Sequence, residues 1–154
     1  MQPRFHIVMF HPEIPHNTGA AGRLALATGS RLHLIKPLGF SLDEKHVRRT
    51  GPDYWAKVDL HVWDSLEELK QAAAPGAQFW YLSTKAPRSH WDAVFHAGDY
   101  LVFGPESRGL PESMLREHAH TALTIPMPGE GARSLNLSTA VAVVLHEGLR
   151  QTAI

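Results

Sequence analysis

The 154-residue chain contains no cysteine, which excludes disulfides and thiolate-bound metals. No apolar run approaches the ~18–20 residues of a membrane span, and the N-terminus lacks a basic-then-apolar leader. Neither sign of charge prevails, since 15 Lys/Arg stand against 15 Asp/Glu. Nothing therefore marks a protein that grips nucleic acid by bulk charge. Low-complexity tracts, linkers and internal repeats are also missing. These absences lead to the expectation of one cytoplasmic globular domain over residues 1–154, long enough to bury a core.

Short apolar runs alternate with helical patterns along the chain. Strands are expected at 5–10, 32–35, 58–62, 79–82, 100–103 and 121–125. Asn17 is placed to cap a helix that runs to Thr28 and stops at Gly29. Further helices are expected at 42–49, at 66–74 behind a cap at Asp64 or Ser65, near 111–116, and from about Ser134 through the apolar stretch 139–149. This alternation predicts an α/β fold with a mostly parallel sheet covered by helices on both faces.

Three polar blocks punctuate those elements. In the first, Pro15-His-Asn-Thr-Gly-Ala-Ala-Gly-Arg23, small residues separate Asn17 from Arg23. A helix N-terminus there is a ready anion site, and Arg23 adds a planar donor fork. Taken alone, the block reads as a capped helix with one exposed arginine. The second, Gly104-Pro-Glu-Ser-Arg-Gly109, follows a strand and places a carboxylate at Glu106. Its spacing does not make Ser107 a hydrolase nucleophile. The third, Ile125-Pro-Met127 followed by Ser134-Leu-Asn-Leu-Ser138, sets a hydroxyl and an amide at the start of the last helix. There is no Gly-x-Gly-x-x-Gly after a strand, so a nicotinamide enzyme is not expected.

The remaining signals are weaker. Residues 1–60 hold eight Lys/Arg against five Asp/Glu. Lys45, Arg48 and Arg49 precede Tyr54 and Trp55, and basic groups beside aromatics suit phosphate and base contacts. The alternative is a solvated helix beside two buried aromatics. Eleven histidines are present, but no His-Glu-x-x-His spacing occurs and no metal site is expected.

The order of these blocks resembles the signature motifs of the SPOUT class of RNA 2′-O-methyltransferases, in particular its TrmL/YibK-like tRNA enzymes. Asn17 and Arg23 resemble the first motif, Gly104 to Gly109 the second, and Ile125 to Ser138 the third. The resemblance covers almost the whole chain and implies a deep trefoil knot at the C-terminal end. It also implies S-adenosylmethionine as methyl donor, released as S-adenosylhomocysteine, with no metal.

Implied cofactor contacts are Leu82, Gly104, Glu106, Ile125, Met127, Ser134 and Leu135, with Glu106 also holding Arg23. Arg23, Asn17, Ser134 and Asn136 are the implied catalytic set, and Arg48, Arg49 and Tyr54 the expected RNA contacts. A homodimer acting on the ribose of tRNA nucleotide 34, a cytidine or modified uridine of leucine tRNA, is the resulting expectation. The alternatives are another tRNA or rRNA position, or a non-catalytic RNA-binding protein that keeps the pocket. His146 departs from the Tyr of close relatives.

Overall fold

The computed structural model describes residues 2–43 and 52–152. Six strands form one sheet: β1 (His6–Phe10), β2 (Arg31–Ile35), β3 (Leu60–Trp63), β4 (Phe79–Leu82), β5 (Tyr100–Phe103) and β6 (Ala122–Leu123). Their order is β3-β2-β1-β5-β4-β6, and every pairing is parallel. Parallel neighbours need long crossovers. Helices α1 (Pro15–Thr28), α2 (Pro52–Trp55), α3 (Leu66–Ala72), α4 (Glu112–Glu117) and α5 (Leu137–Gln151) lie between or after the strands. The expected α/β class is observed.

Side chains alternate across the strands, so each strand feeds two cores. Ile7, Met9, Leu34, Leu101 and Phe103 pack with Ala21 and Ala25 of α1 and with Val141, Val144 and Leu145 of α5. Val8, Ile35, Tyr81 and Val102 pack on the other face with Leu66 and Leu69 of α3. In α5 the buried set Val141, Val144, Leu145, Gly148 and Leu149 has the spacing of one helix face. Burying each leucine there contributes about 2 kcal/mol.

The helix starts differ from expectation in instructive ways. Helix α1 begins at Pro15, because proline's fixed φ and missing N–H suit the first helical position. Asn17 therefore lies within the first turn, 4% exposed, and is not the cap. The cap position falls to Ile14, whose side chain offers no acceptor. Gly29 ends α1 in the left-handed region at φ 67°, as expected. Ser65 caps α3 by accepting from the Glu68 N–H.

Helix α5 starts at Leu137 rather than Ser134, since Asn136 accepts from the Thr139 N–H at 3.3 Å. Strand β6 spans two residues instead of five, continued by one bridge between Ser89 and Thr124. Strand β3 begins at Leu60, two residues later than expected. Of the expected helix at 42–49, Leu42 and Asp43 form a turn, and residues 44–49, with Lys45, Arg48 and Arg49, lie outside the described residues.

Strand order reverses between β1 and β5: the chain builds outward to β3 on one side, then to β4 and β6 on the other. Open α/β sheets bind ligands at the carboxyl ends of strands flanking such a reversal.

Candidate active site

A cavity of about 530 Å³ opens at that edge. Leu82 ends β4, Phe103 ends β5, and Thr124 follows β6. Ile14 and Asn17 come from the start of α1, and residues 133–137 lead into α5. Three stretches separated by tens of residues thus meet because three parallel strands end side by side. Every expected cofactor contact lines this space: Leu82, Gly104, Glu106, Ile125, Met127, Ser134 and Leu135. Asn17 and Asn136 line it too, whereas Arg23 does not.

Gly104 is required by the protein's own chain rather than by a ligand. A Cβ there would overlap the backbone of Gly109 and Leu110. The 104–110 loop consequently folds back on itself, closed by the Gly109 N–H on the Pro105 carbonyl at 2.9 Å.

Glu106 anchors its loop, as expected, but to the opening of α1 and not to Arg23. Its carboxylate accepts from the Glu13 N–H at 2.8 Å, the Ile14 N–H at 2.9 Å and the Asn17 side-chain amide at 3.0 Å. Two of these donors are backbone N–H groups just ahead of α1 and the third is a side chain of its first turn, so the carboxylate ties the entrance of the helix to the loop after β5. Among the described residues, none of the bonds to Glu106 comes from Arg23.

A polar line continues from there. Asn136 donates its amide to Asn17 Oδ1 at 3.2 Å, and Ser138 donates its hydroxyl to Asn136 Oδ1 at 2.6 Å. Each asparagine amide is thereby given one orientation, with its N–H and C=O assigned by the network. Motif residues from all three blocks are joined through Glu106, Asn17 and Asn136.

Arg23 stands exposed further along α1, its guanidinium 5.6 Å from the Tyr54 ring centroid. Burial raises the Tyr54 hydroxyl pKa and Arg23 opposes that shift. The two side chains form a cation–π pair beside the cavity's own residues, not within them. Of the expected RNA contacts, Tyr54 is thus placed beside Arg23, and Arg48 and Arg49 fall outside the described residues.

Sequence reasoning overlooked Glu13. Its carboxylate accepts from the Ser107 N–H and hydroxyl, both at 2.8 Å. Those two donors hold the Glu13 carboxyl below the usual carboxylate range. No local spacing signals a partnership between residues so far apart. Arg108 and Arg133 at the cavity rim were likewise not singled out.

A crevice at the carboxyl ends of parallel strands, walled by looped-back backbone and apolar side chains, lies where open α/β sheets take a small ligand. The SpoU rRNA Methylase family matches residues 4–146, and the chain belongs to that family. It is a methyltransferase of the α/β type found across the family, and membership implies the trefoil knot expected at the C-terminal end.

Within the family, the chain is 48% identical over 151 residues to a Saccharophagus degradans protein named tRNA (cytidine(34)-2′-O)-methyltransferase. The match covers 96% of this chain and 95% of that one. A solved structure concerned with 2-OH methylation of C/U34 on tRNA is also 48% identical, with TM-score 0.90, covering 96% and 95% of the two chains. An AdoMet-bound rRNA methyltransferase from Sinorhizobium meliloti shares the fold at TM-score 0.84 and 21% identity, over 97% of this chain and 57% of that one.

Proposed function

We propose that this protein transfers a methyl group from S-adenosylmethionine to the ribose 2′-hydroxyl of nucleotide 34, the wobble position, of tRNA. The carrying observation is the single cavity in which all three motif segments converge, in a chain 48% identical to a protein named for that reaction. The TrmL-like motifs favour leucine tRNAs, with cytidine or a modified uridine as the target.

The cavity suits the donor. Its volume lies within the ~300–1,000 Å³ of small-molecule pockets. Leu82, Ile125, Met127 and Leu135 supply apolar walls for an adenine ring, and Asn17, Ser134 and Asn136 supply polar groups. S-Adenosylmethionine brings an already electrophilic methyl group, so the chemistry calls for no metal. The AdoMet-bound neighbour on the same fold supports this donor.

What remains for the protein is alignment and one proton. Holding two reactants in line can lower a barrier by about 7–11 kcal/mol in favourable cases. Ser134 and Asn136, exposed at the mouth before α5, orient the ribose hydroxyl. Arg23 offers a planar fork of donors suited to phosphate. It therefore orients the neighbouring phosphate and stabilises developing negative charge, and its place outside the cavity lining supports a role toward RNA rather than donor.

The working form is a homodimer. One small chain with zero net charge offers little surface for an anticodon stem-loop, and Leu26 of α1 and Val143 of α5 leave apolar area exposed. Sedimentation at micromolar protein tests this, a monomer at all concentrations counting against it.

The decisive assay incubates the protein with labelled S-adenosylmethionine and total tRNA lacking the modification, then maps the label. Label on the ribose of nucleotide 34 is expected. Label on a base refutes 2′-O transfer, and absence of label from every RNA favours the binding-protein reading. Arg23→Ala is expected to lower turnover about a hundredfold, while S-adenosylhomocysteine affinity changes less than about twofold.

A further inference from the structure

Two loops at the carboxyl edge of the sheet clasp each other through exchanged carboxylates. Glu106, after β5, takes its hydrogen bonds from Glu13, Ile14 and Asn17 at the opening of α1. Glu13, before α1, takes both of its side-chain bonds from Ser107. The exchange is reciprocal: the Glu13 backbone donates to Glu106, and its side chain accepts from the residue next to Glu106. Two bonds at 2.8 Å from one residue to one carboxylate define a near-planar fork that leaves Ser107 little rotational freedom.

Ser107 lies in the looped-back segment whose residues 104–110 line the cavity. Glu13 does not line the cavity, so any influence it has on a ligand passes through Ser107. Its own backbone is braced from a third side, because the Gly39 N–H donates to the Pro12 carbonyl at 2.9 Å. Arg108 sits near enough to Glu13 to interact with it electrostatically. The carboxylate is therefore held on a rigid platform and reaches across to a loop that has no other anchor of this strength at Ser107.

We propose that Glu13 is a positioning residue for the methyl-donor pocket, setting the closure of the 104–110 loop through its fork on Ser107. This rests on the donor reading above. The residue touches neither donor nor RNA in this role; it fixes the wall against which the donor is bound. Because the fork belongs to the protein before any ligand arrives, its loss loosens the pocket, appearing in donor affinity and KM and leaving kcat for bound substrates close to the parent value.

The test uses the full chain and calorimetric titration with S-adenosylhomocysteine, alongside KM and kcat for S-adenosylmethionine. Glu13→Ala and Ser107→Ala are each expected to weaken binding about tenfold and to raise KM similarly, since each removes a charge-assisted bond. The double variant is expected to be no weaker than Glu13→Ala alone, because the two residues act as one unit. Glu13→Gln, which retains an acceptor for the Ser107 N–H, should recover most of the affinity.

Ser107→Ala removes only an exposed hydroxyl, so it reads the fork even where Glu13→Ala folds poorly. Unchanged affinity in Ser107→Ala, or additive losses in the double variant, overturns the proposal while leaving the donor reading intact if the parent binds. A parent protein that takes up no S-adenosylhomocysteine overturns both.

Discussion

Two polar networks flank the centre of this sheet, and they solve opposite electrostatic problems. At the carboxyl edge, Glu13 and Glu106 each accept hydrogen bonds from backbone N–H groups and side-chain donors, and those from Ser107 hold the Glu13 carboxyl below the usual range. Closer to the amino ends of the strands, His6 and His33 are 7% and 2% exposed and exclude charge. Burial, reinforced by neighbouring cationic groups, lowers His6 to about 4 and His33 to about 3.

The Trp63 indole N–H donates to His33 Nδ1 at 3.0 Å, so the His33 proton resides on Nε2 and points at His6 Nδ1, 2.8 Å away. His6 stacks on Tyr100 with centroids 3.9 Å apart. Each imidazole is satisfied as a neutral ring within an aromatic layer. Burial keeps the two histidines neutral, whereas the donors around the less buried Glu13 carboxylate favour its charge. Donors gather at the edge where loops and a helix start converge, and that is where the pocket forms.

The largest expected effect of a single substitution breaks the charged side of this contrast. In Glu106→Gln one arm becomes an NH2 facing backbone N–H groups, and stability should fall by about 3 kcal/mol, read by urea unfolding. An equal loss in Glu106→Asp would show that chain length, not charge, governs the site.

The neutral side gives a pH-dependent effect of the same sense as a lowered carboxyl, a loss of stability on acidification, but at a higher pH. Unfolded histidines titrate near 6.5, above the folded values of about 4 and 3. The unfolded chain binds protons first as pH falls, so stability is complete above about 6.5 and declines below it, levelling off only under about 3. Each histidine contributes a slope of up to about 1.4 kcal/mol per pH unit. Urea midpoints at pH 7, 6 and 5 measure it, and a flat profile would contradict the buried neutral pair.

The smallest effect serves as the control for both networks. Lys85 and Glu112 pair at 3.0 Å on the surface with side chains 62% and 66% exposed. Glu112→Gln should leave thermal stability within measurement error, as exposed pairs of this kind usually do.

Much of this molecule could be read along the chain. Short apolar and aromatic runs bounded by polar loops placed β1, β4 and β5 within a residue, because buried parallel strands leave an unmixed apolar signature. A cap at Asp64 or Ser65 was legible, and the structure selects Ser65. The pocket's lining followed from motif order, and all seven expected cofactor contacts lie in it.

What escaped was long-range. Asn17 looked like a cap because Asn commonly is one; Pro15 started the helix earlier, and Glu106, 93 residues beyond Glu13, ties down the backbone ahead of it. Strand β6 is short because its register on β4 engages only Ala122 and Leu123. Glu13 carried no motif at all, since its partner is set by the meeting of two loops in space.

One consequence reaches back to the birth of the protein. The backbone just ahead of α1 is held by a side chain encoded in the last third of the message, so a nascent chain emerges with that segment untied. Fastening the entrance of the opening helix and closing the pocket both wait for codon 106, because both need the loop after β5.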